Sequence, residues 1–358
     1  MIASSESQNF IEAYMPFLDE ILEQPAAIRR TISALQHVDS DLGQVAQMLR
    51  AGAINRIIFT GMGGSYAARD PILIRLNEAG LPAFGINTAE LLHYRFNVLD
   101  KRTLLLMVSQ SGESVEAVRV AEQWKNRGML VAITNSGSNT VSAMADVSLA
   151  FHAGAEETVS TKTFTCTLAA LTLIAGALVD DDLGKLNTDL EIVVSAIEDY
   201  LKNWGSNGRA LLDAHQPQEM LMLLARGPSM ASALNGALVL KESTHVLAEG
   251  MNVGEFRHGP IEGAGAQWPT LMFMPQGRTS DLNARMVIDL VALGSRVAVV
   301  GPTNPDPRAF HVQLPALTEY VSPIAEIVVV HALAYRLAKH RGLEPGKFAR
   351  IGKVTRSE

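Results

Sequence analysis

The chain has 358 residues, 47% of them hydrophobic, enough for about two domains with buried cores. Its formal net charge is −7 and no dense Lys/Arg run interrupts the acidic balance, which argues against nucleic acid as a partner. The single cysteine, Cys166, permits no intramolecular disulfide, and the N-terminus lacks the basic and apolar regions of a signal peptide, so a cytoplasmic setting is expected.

Residues 10–50 read as helices, with Pro25 suited to a first helical turn. A buried strand at 56–60 runs into the turn Gly61-Met-Gly-Gly-Ser65 and a helix from Tyr66 to Leu76. That order invites a dinucleotide-binding reading, which fails in detail. The third glycine of the fingerprint falls at Tyr66, and the next strand, 82–87, ends without an acidic residue.

Leu104 to Val108 is a continuous apolar run, fit for a strand buried on both faces. It leads directly into Ser109-Gln-Ser-Gly-Glu-Ser114 and a helix that runs to Gly128. A helix N-terminus offers unpaired N–H groups and partial positive charge, and three serines and a glutamine add donors without bulk. One serine there would be an ordinary helix cap. Four donors in six residues, behind a buried strand, point instead to a phosphate.

Buried strands at 130–134 and 147–151 follow. Glu156-Glu-Thr-Val-Ser-Thr-Lys-Thr-Phe-Thr165 then enters the longest apolar run, 168–179. That run falls short of the ~20 residues a membrane span needs and reads as a core helix, with Thr161 and Thr163 in its N-terminal cap, so no membrane contact is expected. Asp180-Asp-Asp182, Gly184 and an amphipathic stretch to Trp204 mark a linker.

The second half repeats the first. Leu221 to Ser229 echoes Ile57 to Ser65, and Thr270 to Met274 echoes Thr103 to Met107. The turn after Met274, Pro275 to Ser280, loses the Ser-Gln-Ser spacing, so the first domain is expected to grip the phosphate. Val321 to His340 reads as a helix and Lys347 to Glu358 as a polar tail. The nine histidines show no metal-ligand spacing and Gly-x-Ser-x-Gly is absent, so neither a metal or other cofactor nor a serine hydrolase is expected. On residue type alone, Lys241 and Glu242 suit a solvated helix face as well as a site, and Lys353 suits a free terminus.

The Ser109–Ser114 turn resembles the phosphosugar-binding turn of SIS (sugar isomerase) domains. Further stretches extend the resemblance over nearly the whole chain: Glu23-Gln-Pro25, Val159-Ser-Thr-Lys-Thr-Phe-Thr165, Lys241-Glu242, Gly254-Glu-Phe-Arg-His-Gly-Pro260 and Gly352-Lys-Val354. Together they are similar to the isomerase half of the glucosamine-6-phosphate synthases. The resemblance implies an α/β fold of two doubly wound parallel-sheet SIS domains in tandem with a helical N-terminal arm. The expected parts are an arm at 1–40, a phosphate-binding SIS domain at 41–182, a linker helix at 183–207, a second SIS domain at 208–345 and a catalytic tail at 346–358.

The resemblance also implies a site for a hexose 6-phosphate. Ser109, Gln110, Ser111 and Ser114, with Ser65, would hold the phosphate, and the backbone at Thr158 and Ser160 would lie against the sugar. Moving a proton between adjacent carbons needs a carboxylate over them, and the match gives that role to Glu242. His258 matches the histidine that opens the sugar ring and enters from a neighbouring subunit, which implies a homodimer with shared sites. Lys353 matches a C-terminal lysine whose amine can form a Schiff base with a ketose or transfer a proton.

Two departures from the synthases bear on the reaction. The glutaminase half and its N-terminal cysteine are missing, and Val239 stands where the synthases carry a second lysine. Isomerising deamination of glucosamine 6-phosphate to fructose 6-phosphate is therefore expected. A fructosamine-6-phosphate deglycase and a catalytically silent sugar-phosphate sensor are the alternatives.

Overall fold

The computed structural model describes residues 15–215, 219–348, 350 and 352–354. Four helices come first: α1 (Pro16–Leu22), α2 (Gln24–Ala34), α3 (Val38–Asp41) and α4 (Gly43–Arg50). Pro25 lies in the first turn of α2, where its missing N–H costs no helical bond. An α/β unit follows as β1 (Arg56–Gly61), α5 (Gly63–Ala67), α6 (Arg69–Glu78), β2 (Ala83–Asn87), α7 (Thr88–Glu90), β3 (Thr103–Val108), α8 (Val115–Trp124), β4 (Met129–Thr134), β5 (Val147–Ala150) and α9 (Lys162–Val179).

Helices α10 (Leu183–Lys202) and α11 (Trp204–His215) lead to a second unit. It runs β6 (Met220–Ala225), α12 (Met230–Thr244), β7 (Leu247–Asn252), α13 (Val253–Arg257), β8 (Thr270–Phe273), α14 (Ser280–Ala292), β9 (Val297–Gly301), β10 (Phe310–Gln313) and α15 (Ser322–His340).

Each unit builds a five-stranded sheet, ordered β2-β1-β3-β4-β5 in the first and β7-β6-β8-β9-β10 in the second. Every strand pair in both is parallel. The same order on the same plan is the structural form of the repeat between the two halves. In each sheet the chain moves outward in opposite directions from one central pair. Such a reversal opens a crevice beyond the strand ends, and in the first sheet it sets the turns after β1 and β3 side by side.

Parallel strands are covered on both faces, and the side-chain alternation follows from that. Leu104, Leu106 and Val108 of β3 point into a large core, while Leu105 and Met107 point into a second one with Trp124 of α8. In β6, Leu221 and Leu223 enter the same large core, and Met222 and Leu224 enter a third with Phe256 and Met286. One core therefore joins the inner faces of both sheets.

This corrects the expectation of a linker at 183–207. Leu190, Val193, Val194 and Ile197 of α10 are fully buried in that shared core. Each such side chain stabilises the packed state by about 2 kcal/mol, so α10 belongs to the core rather than tethering two separate bodies. Helix α9 begins at Lys162, earlier than the apolar run alone suggests. By length and composition α9 could cross a membrane, with a mean hydropathy of 1.6, but 83% of it is buried inside the protein.

Candidate active site

The turn after β3 is shaped by its own hydrogen bonds. Gly112 N–H donates to Ser109 Oγ at 3.2 Å, and Glu113 N–H donates to Ser111 Oγ at 3.1 Å. The Glu113 carboxylate accepts from the N–H and the hydroxyl of Thr140, each at 2.8 Å, which ties the turn to the next loop. Gly112 has φ +65, and a Cβ there would lie 1.9 Å from Asn139 Oδ1, so no other residue fits. Ser114 begins α8 without capping it through its side chain. The N-terminus of α8 thus faces outward with its donors presented.

Ser65, Ser109, Gln110, Ser111 and Ser114 line one cavity of about 290 Å³. Ser160 and Thr163, from the segment that opens α9, line it too. Larger hollows of about 390 and 520 Å³ lie elsewhere, but neither includes the serine turn. The fourth side comes from the second half of the chain. Leu238 and Glu242, four residues apart on one face of α12, line the cavity together with the serines. α12 packs tightly on the first unit, since a Cβ at Gly64 would lie 2.8 Å from Asn235 Oδ1. Val239 faces the other way and is fully buried in the shared core.

Glu242 is half-buried. Burial pushes its carboxyl up to about 6, against the pull of the Lys353 and Lys241 charges. A carboxyl poised there exchanges protons readily near neutral pH.

Lys353 reaches the same cavity from the tail, alongside Phe348, Gly352 and Val354. Ile351 lies outside the described residues. Among the described lining residues Lys353 is the one Lys or Arg side chain. Its Nζ lies 2.6 Å from Glu156 Oε2 and 2.5 Å from the Thr158 carbonyl oxygen.

Glu156 is the residue that sequence reasoning passed over. Its Oε1 accepts from the N–H groups of Thr161 and Thr163 at 2.9 and 3.0 Å, and its Oε2 accepts from the Thr163 hydroxyl at 2.6 Å. The threonines were expected to cap α9, but Thr161 makes no side-chain cap bond, and both hydroxyls donate to this carboxylate. Burial alone would push Glu156 up. The Lys353 charge and the threonine donors outweigh that and hold it below the usual carboxylate range. A carboxylate just upstream of a Ser/Thr-rich helix start is the signal that could have found it.

Thr158 and His258 do not line the cavity. The Thr158 hydroxyl donates to Glu20 of α1, and only its carbonyl, bonded to Lys353, turns toward the tail. His258 follows α13 as an exposed residue, its N–H donating to Glu255 O at 3.0 Å. Within one chain it stays apart from Glu242 and the serines.

The second unit fills the matching position differently. Ser229, the counterpart of Ser65, donates to Glu326 Oε1 at 2.9 Å, and Ser232 donates to Oε2 at 3.0 Å. Glu326 is almost wholly buried, and only a hollow of about 10 Å³ remains beside it and Pro275. Ser229 is thus engaged by the chain's own carboxylate, whereas Ser65 lines an open cavity.

Comparison with known proteins agrees with this geometry. Residues 53–177 match the SIS domain family. The chain is 31% identical over 352 residues to a glutamine–fructose-6-phosphate aminotransferase (isomerizing) of Thermococcus kodakarensis, covering 94% of this chain and 57% of that protein. The chain thus spans a little over half the length of the curated relatives it matches. Its fold matches the C-terminal domain of glucosamine-fructose-6-phosphate aminotransferase from Francisella tularensis, with a TM-score of 0.82 and 24% identity over 96% of this chain and 100% of that one. It also matches glucosamine-6-phosphate deaminase from Thermotoga maritima, with a TM-score of 0.73 and 19% identity over 95% of this chain and 99% of that one. The match over residues 53–177 identifies a SIS (sugar isomerase) domain in the first unit, and the chain along its length is similar to the aminotransferase relatives over a little over half of theirs.

Proposed function

We propose that the protein is an enzyme that isomerises and deaminates glucosamine 6-phosphate to fructose 6-phosphate and ammonia. The observation that carries this reading is that Glu242, with its carboxyl raised to about 6, lines one cavity with the serine turn. A hexose anchored by its phosphate at Ser109, Gln110, Ser111, Ser114 and Ser65 directs its far end, C1 and C2, away from the turn. In the open chain, the Glu242 carboxylate takes the proton from C2, the C2–H electron pair forms the C1–C2 double bond of the enolamine, and the C1=O pair moves to O1, which takes up a proton from solvent. The same carboxyl returns its proton to C1 as the nitrogen gives one N–H proton back to solvent, leaving an imine at C2. Water adds there, the C–N bond breaks, and ammonia leaves with the proton balance restored. Lys353 lines the same cavity and its charge acts on Glu242, so its ammonium would stabilise oxygen charge as the double bond shifts.

Ring opening requires an acid near the anomeric oxygen. His258 of the partner subunit fits that need in a homodimer with shared sites, because it lies away from the cavity of its own chain. The Thermotoga protein of the same fold is named a glucosamine-6-phosphate deaminase, and the Thermococcus relative an isomerizing glutamine–fructose-6-phosphate aminotransferase.

The test is incubation with glucosamine 6-phosphate and a panel of fructosamine 6-phosphates, with ammonia, free amine and the sugar product measured. Ammonia and fructose 6-phosphate in equal amounts support the proposal. Amine released from fructosamine 6-phosphates alone would replace it with a deglycase, and no turnover of either class would leave a binding protein.

A further inference from the structure

The tail that brings Lys353 to the cavity is tied there by a charge from the other side of the site. Glu156 is fixed before the lysine arrives. Four donors from the first turn of α9 hold its two oxygens, the Thr161 and Thr163 N–H groups and their hydroxyls. Its side chain is completely buried, and it stands at the start of an 18-residue helix whose dipole favours negative charge. A buried carboxylate still requires a cation close by. Lys162, the nearest basic residue along the chain, is not that cation, because its Nζ pairs with Glu23, between α1 and α2, at 2.5 Å, a carboxylate shared with Arg30.

The groups facing this contact from other elements are already committed or neutral. Glu20 of α1 accepts from Glu157 N–H at 2.5 Å and from the Thr158 hydroxyl. His331 of α15 bonds to Gln24 at 3.2 Å, and burial pushes its pKa down to about 3, so it carries no charge. Glu242 and Lys241 of α12 act on the cavity side. Among the described basic side chains Lys353 is the one bonded to Glu156, and the Thr158 carbonyl takes a second of its protons.

We propose that Glu156 is a positioning residue that pins Lys353, and with it Phe348, Gly352 and Val354, into the wall of the cavity that holds the serine turn. Breaking this one contact frees the tail without disturbing the sheets or the phosphate turn. The role that Lys353 then plays toward a sugar rests on the proposed function, but the pinning itself does not.

The test therefore needs no substrate. Glu156→Gln and Lys353→Met proteins are compared with the unaltered chain by amide hydrogen exchange over residues 346–354. In the first variant and the unaltered chain, acylation of Lys353 by acetic anhydride at pH 8 is also followed by mass spectrometry. The expected result is exchange at least about tenfold faster at the tail in both variants, with exchange in β1 and β3 unchanged, and Lys353 acylated several-fold faster in Glu156→Gln. Tail exchange at the unaltered rate in Lys353→Met overturns the proposal even if Glu156→Gln does not fold. Unchanged acylation in a folded Glu156→Gln overturns it as well. Where the unaltered enzyme turns over a sugar phosphate, Glu156→Gln should lower kcat with little change in KM, Glu156→Asp should recover part of the loss, and adding Lys353→Met to Glu156→Gln should cost nothing beyond Lys353→Met alone. A protein that acts on no sugar phosphate but shows the exchange result refutes the proposed function and leaves the pinning standing.

Discussion

Ser229 donates a hydrogen bond to Glu326 at 2.9 Å, and Ser229 holds in the second unit the place that Ser65 holds in the first. Two copies of one fold thus treat the same position differently, one lining an open cavity and the other closed by a carboxylate. Closing it carries a pH signature. Burial pushes the Glu326 carboxyl up to about 7, although both serine hydroxyls pull the other way. A carboxyl raised on folding stabilises the fold fully below its unfolded value near 4.5, and that contribution is lost as pH rises through about 7. The difference is roughly 3 kcal/mol. Denaturant unfolding at pH 5 and pH 8 should show the unaltered chain losing up to about that much more stability than Glu326→Gln across the interval. Equal pH dependence in the two proteins would show that Glu326 does not titrate there.

Glu242 should impose its own pH dependence on turnover. A base must be ionised to accept a proton, so kcat/KM should climb as pH rises through about 6 and then level off. Glu242→Gln should remove that limb and lower kcat by about 100-fold or more while leaving sugar-phosphate binding in place. An activity that keeps the same limb in the Gln variant would mean that another group titrates near 6.

The serine turn should act mainly on affinity. Ser109 and Ser111 each accept one backbone hydrogen bond, from Gly112 and Glu113, so removing both hydroxyls costs about 1–3 kcal/mol of stability. Hydrogen bonds to a charged phosphate are worth about 1.5–3 kcal/mol each, so the Ser109→Ala, Ser111→Ala double variant should bind glucosamine 6-phosphate about 100-fold or more weakly. Calorimetric titration would check this, and affinity equal to that of the unaltered chain would remove the serines from the site.

What could be read in the sequence was whatever is local. Leu104 to Val108 announces a strand buried on both faces, and the polar turn directly behind it sits beyond the strand end, so β3 and its turn were legible from one stretch. Gly112 could be placed in that turn, but not the Asn139 side chain that makes it obligatory. Glu156 was not legible, because its partners lie five, seven and 197 residues away and its burial is created by α1, α9 and the tail together. In an isolated stretch of Glu and Thr it looks solvated. The amphipathic pattern of α10 was visible, yet whether it tethers or packs depends on the two sheets sharing one core. Thr158 was named for its backbone near the sugar, but its neighbour across the fold, Glu20, decides where its side chain goes.

The exposed position of His258 makes a prediction about assembly. If His258 serves the site of a second chain, Glu242→Gln and His258→Ala proteins are each inactive alone, but mixed dimers contain one site with both native residues. Mixing them after mild dissociation should restore up to about a quarter of the native activity per chain, since half of the dimers are mixed and each has one of two sites intact. Subunit exchange must be followed separately, for example by mass spectrometry of differently tagged chains. Exchange without recovery would place His258 outside the site.

The tail gives the last prediction, and two variants divide its roles. Lys353→Met keeps the chain length, the Phe348 contact with the core and the wall of the cavity, but removes the ammonium. Deletion of residues 350–358 removes the ammonium and part of the wall. Both leave the buried Glu156 carboxylate without its cation, which costs up to about 3–5 kcal/mol where the pair is well buried and less where one partner, as Lys353 here, keeps some exposure. That cost is partly offset because the four threonine donors remain, so both proteins should fold with a lowered melting temperature. Sugar-phosphate binding should persist in both, because the phosphate turn lies on the first sheet and owes nothing to the tail. Turnover should fall about 100-fold or more in Lys353→Met, and deletion should lower it further by opening the cavity to water. Steady-state rates with glucosamine 6-phosphate, measured beside binding in the same samples, separate these effects. Native turnover in Lys353→Met with a loss on deletion would assign the tail to shielding alone and leave Glu242 to move the proton without a nearby ammonium.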